Sequence, residues 1–205
     1  MRVLRRVVLL LLGFSMWVGL LSPSLAAAAG PWKGQIVDAE TGQLLDGVVV
    51  LMYWLKSTSL WEAGGASKYY DAEEVVTGPD GRFVIQARST WTLLWWREIR
   101  GYFVIFKPGY GQWRYKGYQE WEKLPIWERQ AREEAARKWE ETGEIEGDEV
   151  VIELPPLKTR QERLDFLRRI SWAPVIPAGR TKRMEQAIDE ERAYLGLGKM
   201  YERKP

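Results

Sequence analysis

The sequence predicts a mainly β fold with α additions: a sandwich of about seven strands with a helical insertion and C-terminal helices. Two turn-and-strand phrases and one apolar run predict it. Residues 34–51 place two β-rich runs around Asp38, Thr41, Gly42, Asp46 and Gly47. Those residue types suit tight backbone geometry, with Gly42 free to take positive φ. In the second phrase, Thr77 to Ile85, Pro79-Asp80-Gly81 sets a tight turn ahead of a further apolar strand. The run from Val48 to Trp54 is almost continuously apolar, as a central strand covered on both faces must be.

Taken in order, Arg2, Arg5 and Arg6 precede an apolar run from Val7 to Leu21 and a small-residue end from Ala26 to Ala29. That pattern reads as a secretory leader over residues 1–29, with Ala28 or Ala29 the last residue removed. No stable membrane span is expected after cleavage. Trp32 to Val37 is the first strand and Val48 to Leu55 the second. Lys56 to Lys68, rich in Ser, Gly and Ala around Trp61, reads as a mobile loop. Tyr69 to Val76 and Arg82 to Ala87 are the third and fourth strands. Ser89 to Arg100 carries Trp91, Trp95 and Trp96 without a clean period and is read as irregular. Tyr102 to Lys107 is a fifth strand, stopped by Pro108-Gly109-Tyr110-Gly111, and Gln112 to Tyr115 a short one after it.

The character then changes. From Leu124 to Trp139 the apolar residues Leu124, Trp127, Ala131, Ala135 and Trp139 are read as one helical stripe that covers part of the body. Pro125 suits a first helical turn. Glu128/Arg132, Glu133/Arg137 and Glu134/Lys138 are i,i+4 pairs worth ~0.2–0.5 kcal/mol each. Gly143 is the expected stop. Glu149 to Leu154 returns to strand and is expected to rejoin the sheets. The β domain is therefore read as residues 30–156, with a helical insertion at about 120–142. Thr159-Arg160-Gln161-Glu162 is a capping box that opens a helix to Ile170. After a Pro-rich connector, a last helix is expected from Thr181 to Leu195, stopped by Gly196. Residues 157–205 form the helical C-terminal appendage.

Composition excludes whole classes of chemistry. The chain has no His and no Cys, so an ordinary zinc site and a Ser-His or Cys-His nucleophile are absent, and no cofactor is expected. Without the three leader arginines, 27 basic residues face 28 acidic ones, a net of −1 that does not ask for nucleic acid. Lys107, Arg114 and Lys116 interleave with Tyr110, Trp113, Tyr115 and Tyr118, but a solvated sheet face explains them better than a nucleic-acid surface. Asp71, Glu73 and Glu74, or Asp80, are the carboxylates open to calcium, although Asp80 reads more simply as a turn residue. With Glu62, the same acids are the candidates for carboxylate-dependent hydrolysis. Glu73 and Glu74 are adjacent on a strand and so point to opposite faces.

The aromatic load is the remaining signal. Of 12 Trp, 11 follow the leader. Indoles and phenols give rigid, amphipathic contact area suited to protein partners and flat sugar faces. The candidate binding residues are Trp61, Trp91, Trp95, Trp96, Trp113 and Tyr115, the alternative for them being a seam between sheets and helices. Trp61 and Trp91 fall in expected loops, where a core role is hardest to argue.

The string from Gly34 to Val50 resembles the carboxypeptidase regulatory-like domain, a transthyretin-like (prealbumin-like) β-sandwich. Gly34, Val37, Asp38, Thr41, Gly42, Leu45, Gly47 and Val50 match its opening pattern. Leu44 stands where that family has Pro and Val48 where it has Ala. Thr77, Asp80, Gly81 and Phe83 match a second phrase, and Lys107-Pro108-Gly109-Tyr110 a third. The resemblance covers about residues 32 to 115, extends to the strand near residue 150, and implies a non-catalytic module of exported or cell-surface proteins. It brings no catalytic residues with it. The reading is thus an exported, non-enzymatic binding or structural module of the cell envelope, periplasmic or at the cell surface. Its partner is a protein, or alternatively a polysaccharide; a carboxylate-dependent hydrolase is the competitor from another class.

Overall fold

The structure is a computed structural model, and it describes residues 28–57, 67–89, 99–144, 149–170, 176–177 and 179–200. The expected leader lies outside these residues except for its last two. The strands are β1 (Ala28–Ala29), β2 (Trp32–Asp38), β3 (Val49–Ser57), β4 (Ser67–Val76), β5 (Arg82–Ile85), β6 (Arg88–Ser89), β7 (Ile99–Phe106), β8 (Arg114–Tyr115) and β9 (Val150–Leu154). The helices are α1 (Tyr118–Trp121), α2 (Ile126–Thr142), α3 (Arg160–Arg169) and α4 (Lys182–Tyr194). Strand residues outnumber helical ones, and the fold is mixed α and β.

Two main sheets carry the strands. One has the order β5-β2-β9-β8, the other β4-β3-β7, and β1 with β6 adds a two-residue ladder. β9 pairs parallel to β2, from Gly34↔Val150 to Asp38↔Leu154, and antiparallel to β8. The helical segment α1–α2 is therefore a chain excursion between two neighbouring strands of one sheet. β1 pairs with β6, and Ala29 is buried, so the leader boundary expected at Ala28 or Ala29 falls inside this ladder.

β3 is the middle strand of its sheet and is covered on both faces, as its apolar run predicts. Val50, Met52 and Trp54 join Trp32, Ile36, Ile85, Ile152 and Leu154 of the other sheet in one apolar cluster. Val49 and Leu51 face the opposite way, where Phe106, Phe166, Met184 and Ile188 bring α3 and α4 onto the sheet. The layers are thus sheet, sheet and helices. Each large side chain buried there contributes ~1.5–3 kcal/mol.

The phrases that predicted the fold are the ties between these layers. The Thr77 hydroxyl is buried; it donates to Leu45 O (2.7 Å) and accepts from Val48 N (2.9 Å). Ile36 N donates to Gly81 O at 2.8 Å, and a Cβ on Gly81 would lie 2.7 Å from Ile36 O. With φ at 67°, that position suits glycine on both counts. Lys107 Nζ donates to Asp46 O at 2.6 Å, and the Tyr110 hydroxyl donates to Asp38 Oδ2 at 3.1 Å. The other Asp38 oxygen accepts from the Glu40 and Thr41 amides, each at 2.8 Å.

Asp38 makes this tie sensitive to acid. Burial alone would push its carboxyl up, but the hydrogen bonds from Thr41, Glu40 and Tyr110 outweigh burial and hold it below its ordinary value. A depressed folded pKa contributes stability above the unfolded value, about pH 4, and loses it as pH falls through the folded one. Thermal unfolding from pH 7 downward should therefore show a steeper loss below about pH 4 in the wild type than in Asp38→Asn. Equal slopes would contradict this role.

Several boundaries differ from the sequence reading. The β3–β4 ladder continues through Lys56↔Lys68 to Ser57↔Ser67, so both ends of the loop expected over Lys56–Lys68 are strand, and its remainder lies outside the described residues. The capping box at Thr159 and Glu162 is present. Gly143 ends α2 with φ at 77°, and Gly196, after α4, has φ at 72°. The stripe expected along α2 is not found. Trp139 is buried, but Trp127, Ala131 and Ala135 are exposed. Residues four apart drift about 40° around a 3.6-residue helix, so Trp127 and Trp139 lie about 120° apart and cannot share one face.

Candidate binding surface

Of the six candidate binding residues, Trp61, Trp91, Trp95 and Trp96 lie outside the described residues. Trp113 and Tyr115 sit half-buried between β8 and the helices, packed against the inter-sheet cluster. Their rings meet edge to face at 5.5 Å, and Tyr115 stacks on Trp121 at 6.0 Å and meets Trp139 edge-on at 6.2 Å. The Tyr115 hydroxyl donates to Glu140 Oε1 at 2.6 Å. Burial, and then that carboxylate, push the phenol well above its ordinary range. Tyr115 is a neutral donor that fastens α2 to the sheet.

The acidic candidates are tied into the fold in different directions. Glu73 accepts from Gln86 N at 3.3 Å and from Arg88 Nη2 at 3.1 Å. Its neighbour Glu74 reaches the other face, where it accepts from the amides of Arg183 (3.0 Å) and Met184 (2.8 Å) at the start of α4. A carboxylate there satisfies otherwise unpaired helix amides. Asp71 is paired with Arg88 (3.2 Å) and Arg180. Asp80 accepts from Arg82 N within its own turn, at 3.2 Å. Glu62 lies outside the described residues. Among the described residues no group of three or more acids is placed to hold a metal ion.

α2 carries the residues that the sequence reading missed. Its last turns are firmly docked. Gly30 N donates to Thr142 O (2.6 Å), Trp32 Nε1 donates to Glu140 O (3.1 Å), and Trp139 stacks on Phe103 at 5.0 Å. A Cβ on Gly143 would lie 2.7 Å from Gly30 Cα, so helix and chain pass in backbone contact there. Among the described residues the first turns show no such docking: Ile126 is 55% and Trp127 69% exposed, and Tyr118 of the preceding α1 is exposed as well. Charged residues flank this end, with Arg132 and Glu128 paired at 3.1 Å and Arg129 and Glu133 at 3.7 Å. An exposed indole next to an exposed isoleucine, rimmed by charge, is a contact surface with no chemistry of its own. The signal was available: the 120° between the two indoles puts only one of them on the docked face.

No helix among the described residues is long and apolar enough to cross a membrane. Neither a protein-family model, nor a curated protein, nor a solved structure matches the chain.

Proposed function

We propose that the chain is a non-enzymatic binding module of the cell envelope, which holds a protein partner on the exposed start of α2. In this reading it is an exported, transthyretin-like β-sandwich of about seven strands, akin to a carboxypeptidase regulatory-like domain. The interlocking of Asp38, Thr77, Gly81 and Tyr110 supports the fold assignment, since these four residues of the resemblance serve as ties. The observation that carries the function is the exposure of Ile126 and Trp127 on a helix whose ties to the sheets, among the described residues, run from Ala136 to Thr142. Trp is among the residues most enriched at energetic centres of interfaces, where truncation removes at least ~2 kcal/mol of binding.

The test is co-purification from an envelope extract with wild type and Trp127→Ala side by side. The wild type should recover one stoichiometric protein, and Trp127→Ala should reduce its recovery at least about thirtyfold while Tm stays unchanged, since the side chain touches little of the body. Equal recovery by the two proteins would end this reading. A polysaccharide is the second reading. It is favoured by a cleft of about 250 Å³ lined by Ser57, Ser67, Arg100 and the exposed Tyr102, whose ring stacks on Tyr53 at 5.4 Å. Binding of a soluble polysaccharide that is lost in Tyr102→Ala, with no protein recovered, would favour it.

A further inference from the structure

The three-stranded sheet ends at β7. One side of β7 pairs with β3, and among the described residues no strand pairs with the other. In an antiparallel strand every second residue turns both its N–H and its C=O toward that open side. Sheet edges are templates for another chain unless Lys, Pro or a bulge blunts them, and Phe103-Val104-Ile105-Phe106 has none of these.

A cleft of about 190 Å³ lies along Phe103, Val104 and Ile105 of β7. Trp113 lines one side, and Arg169 with Ile170, at the end of α3, lines the other. These two sides belong to different layers. Trp113 packs with Phe103 and Ile105 toward the space between the sheets, while Ile170 packs with Val104 toward the helices. The floor is a strand edge, and the walls continue the two rows into which a strand's side chains alternate.

We propose that this cleft takes an extended peptide segment of a partner protein, added as a strand to β7, with apolar and acidic side chains alternating. Main-chain pairing with β7 supplies the attraction, and the two walls supply the choice of side chains. One row of the added strand lies against the Trp113 ring. The other lies against Ile170 and under Arg169, which is exposed beside Arg168 in the last turn of α3. Acidic residues in that row complement the Arg169 guanidinium, whose Nε donates to Asp165 O at 3.1 Å. This inference stands apart from the α2 surface, and its test does not touch Ile126 or Trp127.

The probe is an acetylated, amidated peptide of alternating valine and glutamate, about six residues long, the usual length of a strand. It is titrated into the isotope-labelled full chain and followed by amide chemical shifts. Shifts should centre on β7, Trp113 and Arg169, and Arg169→Glu should weaken binding about tenfold, as expected when an exposed attraction becomes a repulsion. Methylating the backbone nitrogens of either the valines or the glutamates should abolish binding for one set and spare it for the other, because alternate amides face β7. Binding of both methylated peptides, of neither, or no binding of the parent peptide at millimolar concentration would overturn the proposal. So would slow exchange of the outward β7 amides in the free monomer, or a dimer of this chain that protects them.

Discussion

Glu191→Ala is expected to cost the fold about 3–5 kcal/mol, the range for removing one partner of a buried ion pair. Glu191 is 3% exposed. Its carboxylate accepts from Arg163 Nε (2.6 Å) and Nη2, and also from the Gly109 amide at 2.9 Å. The Arg163 guanidinium lies 3.7 Å from the centre of the Tyr194 ring. One acid thus joins α4, α3 and the turn after β7. Truncation leaves a largely buried cation and a backbone amide without their acceptor, and neither deficit is repaired by water at such low exposure. The effect should appear in urea unfolding as a lower midpoint with an unchanged slope. The pair Arg163→Met with Glu191→Leu should recover most of the loss, because no charge is then stranded. A loss under about 1 kcal/mol for Glu191→Ala would show that the pair does not hold the helices to the sheet.

Val50→Asp is expected to abolish cooperative folding. Val50 is fully buried in the cluster between the sheets, among Trp32, Ile36, Met52 and Ile152. The Arg88 guanidinium, over the Trp54 ring at 5.4 Å, is already paired with Asp71 and Glu73 and is not free to serve a carboxylate at this position. The group must either ionise in an apolar layer or stay protonated without a partner, and either outcome costs several kcal/mol against a typical stability of about 5–15. Val50→Ala is the control: it removes two methyl groups, should lose about 2 kcal/mol, and should still fold. Near-ultraviolet circular dichroism, rich here in tryptophan signal, distinguishes the two. A Val50→Asp protein with a sharp melt within about 1 kcal/mol of wild type would contradict a two-sided position for β3.

How far the sequence could be read follows from where each signal resides. β3 was legible because burial on both faces leaves an unbroken apolar run, which few other environments produce. The capping box at Thr159 and the stop at Gly143 were legible because local hydrogen bonding and φ dictate residue type. The β1–β6 ladder was not, since two residues of Ala-Ala against Arg-Ser carry no period. Nor was the choice of β2 as the parallel partner of β9, which is decided by the tertiary packing of Ile36 and Ile152. Arg163 and Glu191 look in sequence like ordinary solvated charges on amphipathic helices, and only their meeting across α3 and α4 makes them an anchor. At the candidate surface the aromatic load was visible but its partition was not. Trp139 and Trp127 read alike by type, yet one closes the seam and the other faces water.

The protein is a layered body centred on β3, with the exposed start of α2 at its surface. Native-state amide exchange measures this directly. The amides of Val49 to Trp54 that bond to β4 and β7 should exchange only through global unfolding, at the slowest rates in the chain. Those of Glu128 to Arg132 should exchange orders of magnitude faster, with protection rising toward Trp139. Uniform protection along α2, or exchange of the β3 amides through local opening, would contradict it.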